Sequence, residues 1–307
     1  VLIQVDATEP AISSVLPRGG QLGSTQEIVI TGQRLKDAEE IFFYEKGITA
    51  IEIVEEKETK LSAKFVISAD AKIGQHELRL RTKKGLSKLF TFWVGPYPNL
   101  DEKEPNSSFE DAQPIPMNVT VNGVAQNEDV DYFKINATQG QRISAEVEAI
   151  RLSGPLFDPY VAILDENRFE IATSDDSELL LQDSTTSVIA PKTGKYYIEV
   201  RESSYRGNGS YRYRVHVGSF PRPLVVTPAG GEAGKAIEFT FLGDPKGSFK
   251  KTITLPNDQR TTLPYHHEEN GLRAPSPNKI RISKFPAISE VEPNNSFSVA
   301  TKTELSI

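Results

Sequence analysis

Two groups of oxygen-bearing side chains have a spacing that could support metal chemistry. Glu102, Glu104 and Asn106 alternate along the chain, and Asp129 and Asp131 show the same spacing further on. In an extended chain, alternate side chains point to the same side. If the two segments pack side by side, their carboxylates repel one another, and a divalent cation would relieve that repulsion. The alternative is that the first segment is a solvated linker turn and that the aspartates cap a strand.

Two further groups of residues could bind a metal, but their spacing does not favour a metal site. His266 and His267 precede two glutamates and raise the possibility of zinc, but neighbouring residues of a strand point to opposite faces, so an exposed hairpin loop is favoured. Asp175 and Asp176, with Asp183 downstream, could form a second acidic site. A turn in which these carboxylates bind local N–H groups is favoured, and the second site is left open.

Catalytic motifs are missing from the sequence. It has no cysteine, no Gly-x-Ser-x-Gly motif and no phosphate-binding or dinucleotide fingerprint, and its four histidines stand in no recognisable catalytic context. We assign no catalytic residue and expect no enzymatic activity.

One stretch combines the two residue types that are enriched at recognition surfaces. Three tyrosines interleave with four arginines, namely Tyr205, Tyr211 and Tyr213 with Arg201, Arg206, Arg212 and Arg214. They are candidates for an exposed binding strip. The favoured alternative is a set of cross-strand pairs on a solvent-facing sheet.

The bulk composition excludes several partners. A net charge of −7 and a pI near 5.4 disfavour nucleic acid, whose binding needs clustered Lys and Arg, whereas an acidic surface suits a cation. The apolar runs are only a few residues long, so no membrane insertion is expected.

The elements that would position these residues are strands. Short runs with a period of two recur along the chain, for example at 27–31, 76–81, 142–147 and 196–200, and Gly, Pro, Asn and Asp separate them. This pattern predicts an all-β fold of tandem β-sandwiches.

Two internal repeats predict the domain order. The pattern Val-x-Pro-x-Gly-Gly-x-x-Gly occurs at 15–23 and 226–234, and Glu-x-Glu-Pro-Asn-x-Ser-Phe occurs at 102–109 and 290–297. With Pro-rich joints between them, the repeats predict domains at 1–97, 98–217 and 218–285. Residues 286–307 would begin a fourth, truncated domain that repeats the second.

The first repeat resembles Ig-like domains of the IPT/TIG type. Pro17, the glycines that follow it and the strand at 28–32 carry the resemblance, and 218–285 would be a second, shorter copy. This resemblance implies an Ig-like fold and little chemistry.

The second repeat resembles the bacterial pre-peptidase C-terminal domain. The resemblance is carried by Glu-Pro-Asn at 104–106, Asp-x-Asp-Tyr-Phe at 129–133, Ser-Asp-Asp at 174–176 and Gly-x-Tyr-Tyr-Ile-x-Val at 194–200, and a second copy would start near 289. It implies a jelly-roll-like sandwich with calcium near its N-terminal segment. Carried onto this sequence, the implied calcium ligands are Glu102, Glu104, Asn106, Asp129 and Asp131.

Together these features favour a secreted, periplasmic or cell-surface location and a calcium-stabilised spacer or binding region of a multidomain bacterial protein. The alternative is a carbohydrate- or peptide-binding module that targets an enzyme elsewhere in the parent chain. The expected partner is an extracellular protein or polysaccharide, and the region itself is expected to be monomeric.

Overall fold

The computed structural model describes residues 9–286, 288 and 290–303. Regular structure in this part of the chain is almost entirely β-strand, with three short 3-10 turns. The predicted all-β architecture of tandem sandwiches is confirmed. The chain divides into two compact units, Val1–Phe220 and Pro221–Ile307, and no helix of the described residues is long and apolar enough to cross a membrane.

The first sandwich is formed by the strands before residue 97. Its strands are β1 (Ala11–Leu16), β2 (Gly19–Gln21), β3 (Thr25–Gln33), β4 (Ala38–Phe43), β5 (Ile48–Lys57), β6 (Lys60–Ile67), β7 (Gly74–Thr82), β8 (Gly85–Leu86) and β9 (Phe90–Gly95). One sheet has the order β1-β3-β6-β5 and the other β2-β9-β7-β4, with β8 paired to β7. Alternate residues point inward, so Val15, Ile30, Phe65 and Phe92 lie in one buried core.

The middle sandwich follows. Its strands are β10 (Asn99–Asp101), β11 (Gln113–Pro114), β12 (Val119–Val124), β13 (Asp131–Ala137), β14 (Arg142–Glu148), β15 (Pro159–Asp165), β16 (Glu170–Ser174), β17 (Thr185–Ile189), β18 (Gly194–Glu202) and β19 (Arg212–Gly218). The order β10-β12-β19-β14-β17 forms what we call the junction sheet, and β11-β13-β18-β15-β16 forms the open sheet. Phe133, Ile163, Ile198 and Val215 belong to the core between them.

The second unit contains a smaller third sandwich. Its strands are β20 (Val225–Thr227), β21 (Gly230–Glu232), β22 (Ala236–Leu242), β23 (Phe249–Thr254), β24 (Thr262–Tyr265), β25 (Glu268–Glu269), β26 (Leu272–Arg273) and β27 (Asn278–Ser283). Its sheets have the orders β20-β22-β23 and β21-β27-β24, beside a β25-β26 ribbon. The Gly-Gly strand β21 pairs parallel to β27, as β2 pairs parallel to β9. The sequence repeat thus corresponds to a repeat in strand pairing, while the domain boundaries and the IPT/TIG assignment stay predictions.

The central strands of the junction sheet, β14 and β19, are buried on both faces. Every residue of β14 is buried, although only alternate ones point into the core. On β19, Arg214 and His216 are likewise 0% exposed. The first sandwich lies against this second face: a Cβ on Gly19 would stand 2.6 Å from Arg214 Cζ, and one on Gly95 would stand 3.3 Å from Arg214 Nη2. These polar side chains are therefore buried by the neighbouring sandwich.

A charged network occupies the centre of this junction. Arg214 Nη1 donates to Glu148 Oε2 at 2.5 Å, and His216 Nε2 lies 3.2 Å from Glu148 Oε1. The other ring nitrogen of His216 lies 2.7 Å from the Thr120 hydroxyl. Although burial alone would raise the pKa of Glu148, the charges of Arg214 and His216 hold it well below its usual range. Glu148 is therefore an ionised group inside the protein.

Further polar contacts tie the first sandwich to the middle one. Arg18 donates to the carbonyl of Leu152, and Asn99 Nδ2 donates to the Gly19 carbonyl at 2.8 Å. The Arg151 guanidinium lies 5.8 Å from the centroid of the Trp93 ring. The two sandwiches are thus joined by directional contacts, which favour one relative orientation over others.

Candidate functional site

Three carboxylates meet where the segment before β11 runs beside the start of β13. Glu104, Asp129 and Asp131 each place one oxygen within 4.8 Å of the others. The segment is held in place by the backbone N–H of Tyr132, which donates to the Asn106 carbonyl at 3.0 Å. Oxygen atoms at this separation can bind one calcium ion, whose ligands lie about 2.3–2.6 Å from the metal.

Asn106 is next to the carboxylates in the chain, and its backbone N–H donates to Glu104 Oε2 at 2.9 Å. Its side chain is 0% exposed, and its Oδ1 makes no hydrogen bond to the described residues. The Oδ1 of Asp131 is likewise buried without a partner among them. Buried polar atoms in proteins are almost always paired. A cation would satisfy the two acceptors, whereas the Nδ2 of Asn106, which is also buried without a partner among the described residues, needs a carboxylate such as Asp131.

Glu102 stands outside the carboxylate trio. Its Oε1 accepts from the backbone N–H of Val124 at 2.7 Å. The Tyr213 hydroxyl donates to Asp131 Oδ2 at 2.6 Å and lies 3.3 Å from Glu102 Oε2. Of the five predicted ligands, Glu104, Asp129 and Asp131 therefore lie together, and the Tyr213 hydroxyl lies between Asp131 and Glu102. Their role as calcium ligands stays a prediction.

The site disfavours negative charge. Burial raises the pKa of Asp131 to about 7, and the charges of Asp129 and Glu104 add to that effect against the hydrogen bond from Tyr213. Burial, followed by the charge of Asp131, raises the pKa of Glu102 to about 8. The residues thus show the mutual repulsion that a bound divalent cation would relieve.

Tyr213 and Gly123 are the site residues that the sequence interpretation missed. Tyr213 is 1% exposed, so its place in an exposed strip was wrong. Its ring lies against Gly123 of β12, where an added Cβ would stand 2.1 Å from Tyr213 Cζ. A glycine inside an alternating strand pattern often marks such a close approach, and this was the available signal.

The predicted Tyr/Arg strip is also divided between two surfaces. Arg214 is buried at the junction, whereas Arg201 and Tyr205 lie with the aromatic residues of the open sheet. There the Arg201 guanidinium lies 3.9 Å from the Tyr160 centroid and 4.6 Å from the Tyr205 centroid. Arg214 was placed wrongly because β19 faces a second sandwich instead of solvent.

The second acidic cluster does not assemble. Asp183 is 0% exposed; it accepts from the backbone N–H groups of Ala149 and Ile150 and pairs with Arg151 Nε at 2.5 Å. Asp175 is exposed and accepts from the Ser203 hydroxyl. Among the described residues, only the Glu104 group brings three potential acidic, His or Cys ligands together.

The repeated motif adopts the same local turn in its second copy. The backbone N–H of Asn294 donates to Glu292 Oε2 at 2.8 Å, as that of Asn106 does to Glu104 Oε2 at 2.9 Å. Asn294 Nδ2 also donates to Glu290 Oε2 at 3.2 Å. That this segment begins a second domain of the same kind stays a prediction.

His267 does not lie in an exposed loop, and this expectation was wrong. Its side chain is 3% exposed, and its ring packs edge-on against Phe241, Tyr265 and Phe249. Burial, followed by the charges of Arg222, Lys251 and His266, lowers the pKa of His267 to about 3. The imidazole is therefore neutral and serves as part of the core of the third sandwich.

This burial makes the third sandwich acid-sensitive. Because the folded state resists protonation of His267, its stabilising contribution is complete above the ordinary histidine pKa of about 6.5 and is lost as the pH falls toward 3. Between pH 7 and pH 5 we expect a loss of about 2 kcal/mol that is missing in His267→Phe. Urea unfolding of both proteins at the two pH values measures the difference. An equal loss in both proteins would contradict the assignment.

A family comparison bears on the middle sandwich. Residues 129–202 match the family described as bacterial pre-peptidase C-terminal domain, which supports the predicted resemblance over that stretch. A probable subtilase-type serine protease of Deinococcus radiodurans is 30% identical over 104 residues, which are 33% of this chain and 14% of the protease. The similarity therefore spans only a small part of that relative.

Solved structures show distant likenesses. A periplasmic inhibitor of g-type lysozyme from Aeromonas hydrophila is 16% identical and covers 38% of this chain and 99% of its own, with a TM-score of 0.26. The SGBP-B protein of a Bacteroides ovatus mixed-linkage glucan utilization locus, in complex with a heptasaccharide, is 11% identical and covers 69% and 75%, with a TM-score of 0.25. At these TM-scores the likenesses carry no argument about function.

Proposed function

We propose that this chain is a non-catalytic, calcium-stabilised spacer or binding region of an exported multidomain protein. The observation that carries the proposal is the pair of buried, unpartnered oxygens of Asn106 and Asp131 beside the carboxylates of Glu104 and Asp129. Calcium outside cells is abundant enough for modules with dissociation constants of about 0.1–1 mM, so an exported location suits such a site.

The calcium ion would act as a structural brace. The residues that would hold it belong to the segment after β10 and to the start of β13, which the backbone hydrogen bond from Tyr132 to Asn106 already joins. This segment continues directly from β10, whose first residue, Asn99, donates to the Gly19 carbonyl of the first sandwich. Holding this segment on β13 would therefore also stiffen the joint between the two sandwiches.

The first test is thermal unfolding of chelator-treated protein with and without calcium. At a calcium concentration of 100 times Kd, we expect stabilisation by about 2.7 kcal/mol, which raises the Tm by several degrees. Magnesium should have a much smaller effect, because it tolerates such irregular oxygen sites poorly. The absence of a calcium-specific shift would remove calcium from the proposal.

Substitution identifies the ligands. Asp131→Asn should abolish most of the calcium-dependent shift while leaving the metal-free protein folded, because the amide keeps the shape of the carboxylate. Asp176→Asn is the matched control, since it removes an exposed carboxylate that stands outside the trio. A full shift in Asp131→Asn would show that this ligand set is wrong.

A second candidate function is recognition of an extracellular carbohydrate or peptide by the open sheet. It is favoured by the aromatic residues on the outer surface of that sheet, where Phe109 stacks on Tyr197 with ring centroids 3.6 Å apart. A parent protein could use such a surface to target an enzyme carried elsewhere in its chain. Recognition and calcium binding are compatible, because they use different side chains of the middle sandwich.

A further inference from the structure

A cleft of about 590 Å³ opens on the outer face of the open sheet. Its floor is formed by Tyr132, Leu164 and Glu199, which lie on β13, β15 and β18. One wall is the segment 107–110, and the other is the turn 168–170 that leads into β16. The volume falls within the ~300–1,000 Å³ typical of sites for small ligands.

Each carboxylate that lines the cleft has a partner. Glu110 pairs with Arg168, Glu199 accepts at 3.2 Å from the Nε of Arg201, which lies beside the cleft, and Glu170 accepts from the Tyr160 hydroxyl at 2.9 Å. With three carboxylates and one arginine in its lining, the cleft disfavours anions, and the pairing leaves little free charge to attract a cation. Planar carboxylate and guanidinium groups can instead accept from and donate to adjacent hydroxyl groups of a neutral ligand.

Phe169 gives the cleft an apolar contact surface. It lies on the wall, its side chain is 69% exposed, and within the described part of the chain no aromatic ring or cation packs on it. By contrast, Phe109 on the opposite wall is covered on one side by Tyr197 and lies under Arg168. A large exposed ring beside hydrogen-bonding groups provides a flat platform for the C–H face of a sugar ring.

The backbone of the floor disfavours an extended peptide. Strand β13 pairs with β11 and β18, β15 pairs with β16 and β18, and β18 pairs with β13 and β15. A peptide that adds as a strand needs a free sheet edge, and these strands offer none at the floor of the cleft. Recognition in the cleft must therefore use side chains.

We propose that this cleft binds a neutral saccharide, with Phe169 stacking on a sugar ring and Glu110, Glu170 and Arg168 binding its hydroxyl groups. The inference deepens the recognition role proposed above by naming the site and the class of ligand. None of the residues proposed to contact the saccharide is a proposed calcium ligand, although the cleft wall at 107–110 continues directly from Asn106 and its Ser107 donates to Asp129 at 2.9 Å.

The test is isothermal titration of the whole protein with neutral oligosaccharides of four to six glucose, mannose, galactose or xylose units. We expect millimolar or tighter binding of at least one, weakened about tenfold by Phe169→Ala, since one aromatic contact corresponds to roughly 1.4 kcal/mol. Phe169 is exposed, so this change leaves the fold intact. Leu156→Ala, which removes a side chain with 71% exposure outside the cleft, should bind as the parent protein does.

Two outcomes would overturn the inference: no binding of any of these oligosaccharides, or equal binding by the Phe169→Ala protein. Binding of oligolysine in their place would assign the cleft to cationic peptides instead. Thermal unfolding with calcium on the same preparations tests the calcium role separately. A retained calcium shift without saccharide binding therefore rejects only the saccharide.

Discussion

Replacing Glu148 by Gln destabilises the protein by about 3–5 kcal/mol, because Arg214 and His216 are then left buried beside a neutral side chain. The loss falls on the unit that contains the first and middle sandwiches. Urea unfolding followed by the fluorescence of Trp93, which lies at this junction, measures it.

An exposed ion pair provides the matched control. Glu166 and Lys192 lie 2.8 Å apart with side chains 48% exposed, so Glu166→Gln should change stability by less than about 0.5 kcal/mol. Replacing Glu148 and Arg214 together by leucine should recover much of the loss, because the buried guanidinium is then removed together with its partner. Equal, small effects of Glu148→Gln and Glu166→Gln would mean that the junction network contributes little.

Gly123→Ala is expected to cost about 3 kcal/mol and to reduce calcium stabilisation at the same time. The new Cβ would stand 2.1 Å from the ring of Tyr213, which must move and give up its hydrogen bond to Asp131. Thermal unfolding with and without calcium detects both effects. The substitution therefore connects the packing of β12 directly to the candidate metal ligands.

Gly194→Ala tests whether any methyl group added at a strand glycine would lower stability and reduce calcium stabilisation. Gly194 begins β18 in the same sandwich, and a Cβ there would meet nothing within 4 Å. It should therefore leave stability within about 0.5 kcal/mol of the parent value. If Gly123→Ala behaved like Gly194→Ala, the close contact with Tyr213 would not be what places the ring.

The all-β fold was predictable because the strands alternate inward and outward residues over their whole length. Strands such as β13, with Phe133 and Ile135 buried and Lys134 partly exposed, show that period directly in the sequence. The meeting of Glu104, Asp129 and Asp131 does not follow from that alternation, because Glu104 lies in a turn and Asp129 precedes β13.

The junction was not predictable from that alternation. Glu146, Glu148, Arg214 and His216 occupy positions that a single sandwich exposes to water, and only the neighbouring sandwich buries them. A polar residue on the outer face of a strand has the same sequence signature whether solvent or protein lies above it. Which of the two applies depends on contacts between residues far apart in the chain.

Glu102 is the predicted ligand that lies outside the carboxylate trio, and the local backbone explains why. The backbone N–H of Glu102 donates to the Asn122 carbonyl at 3.0 Å, so Glu102 continues the ladder between β10 and β12. Its side chain is therefore oriented by that ladder, whereas Glu104 belongs to the turn that follows. Alternation relates two residues only while they share one continuous strand, and that condition fails between 102 and 104.

The polar character of the junction also bears on how the chain is made. A mainly apolar contact surface between two domains promotes aggregation when one domain folds before its partner is synthesised. Here the middle sandwich would present Glu146, Glu148, Arg214 and His216 to water until the two sandwiches dock. After docking, the polar contacts favour one orientation of the two sandwiches. Before docking, the same surface is hydrophilic, which lowers the risk of aggregation while the sandwiches fold one after another.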